Sequence, residues 1–209
     1  MKGFSIVCVL LMALGMGQVA AQNAPRFSVE LPIALGNFSL EDDANSNALR
    51  GIRGTNRTEA SVVGFGIMFG YRVWMGAEAF YNWHYEYGSE PLEDAYSLVM
   101  QDFGVRYSFL PQSFLQPFVR GSYTTYVLND LKVHDPEAGT LGTVYEYDFQ
   151  GKGFTYGVGV DLRMGGPIGI SAEYLNTKTN SFEKKDGNID FTENKPSFSR
   201  WSFNIRFAF

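Results

Sequence analysis

The 209-residue sequence is poor in the residues that usually carry chemistry: it has one cysteine and two histidines. A single cysteine cannot build a disulfide framework, and so few soft or imidazole ligands leave no spaced cluster for a metal. No metal and no cofactor is therefore expected. Basic residues number 17 against 22 acidic, for a net charge of −5, so no basic face is available for a phosphate backbone and nucleic acid is excluded as a partner. No apolar run reaches the roughly 18 residues that a membrane-spanning helix needs. Aromatic residues and glycine, by contrast, are plentiful. The aromatic content of 16% excludes disorder, and the 23 glycines keep no three-residue period, which excludes collagen. The missing apolar run excludes a helical membrane protein, and the mean hydropathy of −0.13 is that of an ordinary soluble chain, but neither excludes a membrane β-barrel, whose strands alternate polar and apolar residues.

The first segment reads as an export signal. Lys2 supplies a positive start, Phe4 to Leu14 is a short apolar run, and Val19-Ala20-Ala21 offers small residues at cleavage spacing. Residues 1–21 are expected to be a cleaved signal peptide and residues 22–209 the mature domain. Cys8 lies within the leader, so the mature chain would hold no cysteine.

From Phe27 onward the pattern has a period of two, which puts alternate side chains on opposite faces of a strand. Trp201, Phe203, Ile205, Phe207 and Phe209 interleave with Arg200, Ser202, Asn204, Arg206 and Ala208. Similar alternation covers 27–36, 63–71 and 153–163, and recurs near 73–87, 98–109, 118–128 and 168–178. Eight strands are predicted, with no helix after the leader. The alternation blurs at Leu98 to Gln101, where a bulge or a strand end is expected. Links near 37–60, 88–96, 129–150 and 179–197 are long and mostly polar, whereas those near 71–73, 110–117 and 164–167 are short. This long–short rhythm fits an up-and-down barrel with long loops outside the cell and short turns in the periplasm, where both termini also lie.

The two faces decide between water and lipid. One carries Phe, Tyr, Trp, Val, Ile and Leu. The other carries small residues together with Glu30, Glu78, Asp102, Arg106, Arg120, Asp161, Arg163, Glu173, Arg200 and Arg206. An eight-stranded barrel has an interior just wide enough for side chains, so the bulky set is expected outside, against lipid. Two aromatic belts are expected: Tyr81, Trp83, Tyr85 and Tyr87 at the outer side, and Tyr71, Trp74, Tyr107, Phe109, Phe118 and Phe207 at the inner rim.

The leader, the eight alternating strands and the ending Trp201-Ser202-Phe203-Asn204-Ile205-Arg206-Phe207-Ala208-Phe209 resemble the small outer-membrane β-barrels of the OmpX and OmpA-transmembrane type. That resemblance implies an all-β, eight-stranded antiparallel barrel in the bacterial outer membrane, in contact with its lipid. It also implies handling by periplasmic chaperones and the barrel-assembly machinery during biogenesis. Trp201, Phe207 and Phe209 would then form the C-terminal assembly signal. The family's roles are diverse, so activity is not fixed by the likeness.

Candidate chemistry is thin. His84 shares strand parity with Glu86, and the pair is expected near the outer rim, where relatives of the enzymatic kind keep catalytic groups; Ser89 lies nearby, in the loop. His134-Asp135 is expected in a long loop. Glu41-Asp42-Asp43 lacks the spacing of a calcium loop. Gly64, Gly66, Gly70, Gly157 and Gly159 read as lumen-facing strand glycines. No catalytic residue is assigned and no enzyme is expected. The inward charges carry the most content: Glu30, Glu78, Asp161 and Glu173 with Arg120, Arg163, Arg200 and Arg206 form a lumen charge network. This network either fills the lumen as a plug or exchanges partners as a gate, and the narrow bore favours the plug. The expected function is a non-enzymatic surface barrel whose loops meet an unknown extracellular ligand or support envelope integrity. A narrow pore for small or apolar solutes is the alternative, and a lipid-acting enzyme at the rim a third.

Overall fold

The computed structural model describes residues 26–40, 59–89, 95–134, 144–164, 167–184 and 195–209. Eight antiparallel strands follow in order: β1 Phe27–Leu40, β2 Glu59–Trp74, β3 Ala77–Ser89, β4 Ala95–Ser108, β5 Leu115–His134, β6 Val144–Arg163, β7 Ile168–Lys184 and β8 Pro196–Ala208. Each pairs with its sequence neighbour, and β8 returns to β1, so the sheet closes into a barrel. Closure at the terminus is sealed by Phe209, whose amide donates to Phe27 O at 2.8 Å while Phe27 N donates back to Phe209 O at 3.1 Å.

A walk along hydrogen-bonded partners starts at Phe27 and passes Tyr71, Ala79, Val105, Gly121, Tyr156, Asn176 and Ser199. It returns to β1 at Asn37, ten residues further on. That stagger is the shear of the barrel and sets its tilt; with eight strands, side chains fill the interior.

Period-two alternation lands as the sequence predicts. Phe154, Tyr156, Val158, Trp201, Phe203 and Ile205 point outward, with Phe203 50% exposed, while Thr155, Arg200, Ser202, Asn204 and Arg206 are buried inside. An apolar outer band of this kind in a closed sheet leaves no backbone edge to satisfy in hydrocarbon. Among the described residues no helix is long and apolar enough to cross a membrane.

Several boundaries differ from the sequence reading. The first short turn is at Met75-Gly76 rather than 71–73: Gly76 takes φ 77°, a conformation that suits glycine. The strand β2 runs on to Trp74 with a register shift between Arg72 and Trp74. The long strands β5 and β6 extend well into the predicted 129–150 link, so His134 ends β5 instead of lying in a loop, and Ser89 likewise ends β3. The bulge expected at Leu98 to Gln101 is absent, since β4 keeps continuous register there with both neighbours. Both parities are apolar because Leu98 and Met100 face an apolar part of the lumen while Val99 faces out. The bulge sits instead in β5, where the ladder shifts between Leu128 and Leu131 and Asp130 adopts φ 61°. Residues 1–21, Cys8, Glu41-Asp42-Asp43 and Asp135 lie outside the described residues.

Candidate functional site

The lumen is built in layers, each on the inward parity of its strands. Nearest the short turns, Arg106 on β4 reaches across the barrel to Glu30 on β1, with both terminal nitrogens on its two carboxylate oxygens. One of these nitrogens also lies 2.9 Å from Glu78 on β3. Arg206 on β8 pairs with Glu78, with Glu30 at 3.2 Å and with Asp161 at 3.5 Å. Ser28 donates to Glu78 at 3.1 Å. Arginine suits this work because its planar fork meets two carboxylates at once.

Above this cluster, Arg120 on β5 pairs with Glu173 at 2.9 Å and Asp102 at 3.5 Å. Asp102 also faces Arg200 at 3.6 Å, and Arg200 meets Glu86 at 3.4 Å. Asp102 thus links the central and upper groups. Two of these guanidiniums lie on aromatic faces: Arg106 is 5.0 Å from the Phe118 ring centre and Arg120 is 4.3 Å from that of Phe80. Such stacking offsets part of the desolvation of a buried cation.

His84 is 3% exposed and Glu86 1%. The sequence reading placed them at a wet outer rim; the structure seats them inside the wall, under the apolar layer described below. Asn82 Nδ2 donates to Asp102 at 3.0 Å and to His84 Nδ1 at 3.0 Å, leaving Nε2 to face Glu86 at 3.1 Å. A hydroxyl ladder crosses the same level: Thr124 donates to Asp102 at 2.6 Å, and Thr124, Thr155 and Thr177 follow one another at 2.6 Å. His84 and Glu86 therefore belong to a buried polar network.

Towards the loops the lumen turns apolar. Phe149 and Phe182 stack at 4.9 Å between ring centres, Tyr126 meets Phe198 edge-on at 5.0 Å, and the Tyr126 hydroxyl is 2.8 Å from Thr179. Leu98, Met100 and Leu128 complete this layer and are fully buried. The prediction that all bulk faces outward needs correction here. So does the placing of Phe118 in the inner-rim belt: it is 2% exposed and points inward, where Gly159 leaves the space its ring occupies. Gly70 leaves similar space for the Glu78 carboxylate.

Of the predicted network, Glu30, Glu78, Arg120, Asp161, Glu173, Arg200 and Arg206 are brought together in ion pairs. Arg163 stands half-buried at the turn end, in electrostatic range of Asp161 and Arg206 but outside those pairs among the described residues. The sequence reading put Arg106 and Asp102 on the inward face yet left them out of the network, although each bridges several partners. For the predicted assembly signal, Trp201 and Phe209 are exposed on the outer surface and Phe207 is half-exposed. Among the described residues no group of three His, Cys, Asp or Glu is arranged to hold a metal ion.

Comparison with known proteins gives one family and a set of similar folds. Residues 6–209 match the family model described as outer membrane protein beta-barrel domain. No curated protein matches the sequence. Among solved structures, the chain is similar to Neisserial surface protein A (NspA), with 14% identity, a TM-score of 0.59, and coverage of 88% of this chain and 97% of that one. OprG from Pseudomonas aeruginosa gives 15% identity, a TM-score of 0.48, and coverage of 89% and 97%. Ail of Yersinia pestis, in complex with the heparin analogue sucrose octasulfate, gives 9%, 0.48, and coverage of 87% and 99%.

Proposed function

The chain belongs to the outer membrane protein beta-barrel domain family and resides in the bacterial outer membrane; from that premise we propose that it is a non-enzymatic surface barrel with a sealed lumen, whose long loops meet an extracellular ligand or support the envelope. The observation that carries this reading is the two-part filling of the lumen. Ion pairs around Arg106, Arg120 and Arg206 occupy the turn end, and Phe149, Phe182, Phe198 and Tyr126 close the loop end. Eight strands leave no room for a channel around such side chains. Purified barrel in a planar bilayer is expected to be electrically silent. Reproducible single-channel steps that shift when Arg120 or Glu173 is neutralised would overturn it.

A narrow pore is the second reading. It is favoured by Asp102, which stands between Arg120 and Arg200 at similar distances and so offers partners for exchange. The same recording decides for it. An enzyme is a weaker reading, because His84 is walled off from solvent and lipid; an unchanged lipid-modification assay after His84 substitution removes it.

Biogenesis belongs to the same proposal. Residues 1–21 are a leader removed before Gln22, periplasmic chaperones and the barrel-assembly machinery deliver the mature chain, and the termini and short turns stay in the periplasm. Mass spectrometry of the mature amino terminus tests the cleavage point. Deleting Phe209 is expected to slow insertion, and normal heat-modifiable migration of the truncated protein would contradict this.

A further inference from the structure

The outer surface of the barrel is not uniform around its circumference. On β2 and β3 the outward residues Phe65, Tyr85, Val63 and Tyr87 are apolar or aromatic, and Ser61 follows on β2 towards the loop end. On β4 to β7 the outward face changes character in three successive rows, read across the ladder. The first row is Phe103, Tyr123, Phe154 and Lys178; the second is Gln101, Thr125 and Lys152; the third is Val99, Val127, Gln150 and Glu183. On β4 to β6 the rings are thus followed by an amide, a hydroxyl and an ammonium group and then by Val99, Val127 and Gln150, while Lys178 on β7 stands opposite Phe154. Among the described side chains of the eight strands, Lys152 and Lys178 are the basic ones on the outward parity, and they are diagonal neighbours on β6 and β7.

A cavity of about 140 Å³ opens on this wall, lined by the second and third rows with Gly151 and Tyr126 behind them. Gly151 and Tyr126 face the lumen, where the Tyr126 ring fills the space beside Gly151, so it is their backbone that these two residues present to the cavity.

We infer that this recess binds the phosphate-bearing headgroup of a membrane lipid. The sequence of chemistries on the wall matches that of the lipid. Acyl chains lie on Phe103, Tyr123 and Phe154. Gln101 and Thr125 donate to ester or hydroxyl oxygens at the polar boundary, Lys152 on the cavity wall meets the phosphate, and Lys178, outside the cavity lining, reaches it from the neighbouring strand. Long cationic side chains at the edge of a hydrocarbon layer reach towards the interface with their charge, and each contributes attraction to an anionic headgroup. Glu183, at the far edge of the cavity, limits the site to a single anionic group.

The test uses the full mature barrel in alkyl maltoside micelles, which carry no phosphate of their own, and is independent of which end of the barrel faces outward. Native mass spectrometry follows retention of phosphatidic acid and of diacylglycerol, which has the same chains without the phosphate. Phosphatidic acid is expected to be held and diacylglycerol lost. The K152Q/K178Q variant, checked as folded by heat-modifiable migration, is expected to bind phosphatidic acid about 30-fold more weakly. Should that double variant not fold, K152Q alone is expected to lose about fivefold. Equal retention of the two lipids, or unchanged affinity in the folded variants, would overturn the inference. So would displacement of phosphatidic acid by millimolar inorganic phosphate, which would make the site one for the free ion.

Discussion

The two halves of the lumen solve the same packing problem with opposite chemistry. At the turn end, charged side chains meet across the bore and almost every acid has an arginine; at the loop end, rings and aliphatic chains fill the bore, without a charge among the described side chains of that layer. The difference shows in what each half can tolerate. A charged layer is held by directional contacts between strands far apart in sequence, so the loss of one partner leaves another charge buried and alone. An apolar layer loses only area and contact, and its neighbours can partly close the gap. The polar half thereby fixes which side chains oppose one another, while the apolar half packs rings and aliphatic chains into the bore.

The largest effect that would sharpen this contrast is at Arg106. Its replacement by alanine leaves Glu30 and Glu78 to share Arg206 with Asp161, one more buried negative charge uncompensated, and is expected to cost about 3–5 kcal/mol, read as a lower urea midpoint for the detergent-folded barrel. A cost below that of an aromatic truncation would break the comparison. Phe149→Ala, in the opposite half, is expected to cost about 3 kcal/mol in the same measurement.

The parity of each strand was legible in its residues, because period two is a local property and a one-residue slip would turn every ring inward. Depth along the barrel axis was not. His84 shares its face with Asn82 and Glu86 in plain sight, yet whether it ends at a rim or beneath a seal depends on the ten-residue stagger around the ring, and no single strand encodes that. Phe118 was readable and misplaced: its parity is that of Arg120, Ser122 and Thr124, but it stands in a run apolar on both faces. Leu98 and Met100 blurred the pattern for the same reason, since the lumen they face is itself apolar. The upper parts of β5 and β6 read as loop although they alternate, Leu131 and Val133 against Lys132 and His134, Tyr145 and Tyr147 against Glu146 and Asp148, because the bulge between Leu128 and Leu131 breaks the period just below them.

Two smaller effects probe the polar half, one at the turn end and one beneath the apolar layer. Gly70→Val pushes a branched side chain against the Glu78 carboxylate and Ser28, and overpacking there is expected to cost about 1–3 kcal/mol. Gly121→Ala, whose Cβ meets nothing within 4 Å, serves as its control and should leave the midpoint in place. Smallest is His84→Gln, which removes one contact from a network that keeps Arg200 against Glu86 and Asp102; about 1 kcal/mol is expected. A loss as large as that of Arg106→Ala would show that the apolar seal depends on the polar layer beneath it.

Barrel closure abolishes sheet edges only where neighbours run equally far. The ladder between β4 and β5 reaches Asn129 and that between β6 and β7 reaches Phe149, while β5 and β6 stay paired to His134 and Val144. Beyond those points the hairpin rises as a two-stranded ribbon with no third strand beside it among the described residues. Its backbone amides on the outer flanks answer to water, so hydrogen exchange should proceed there long before the closed ring below gives up a single proton.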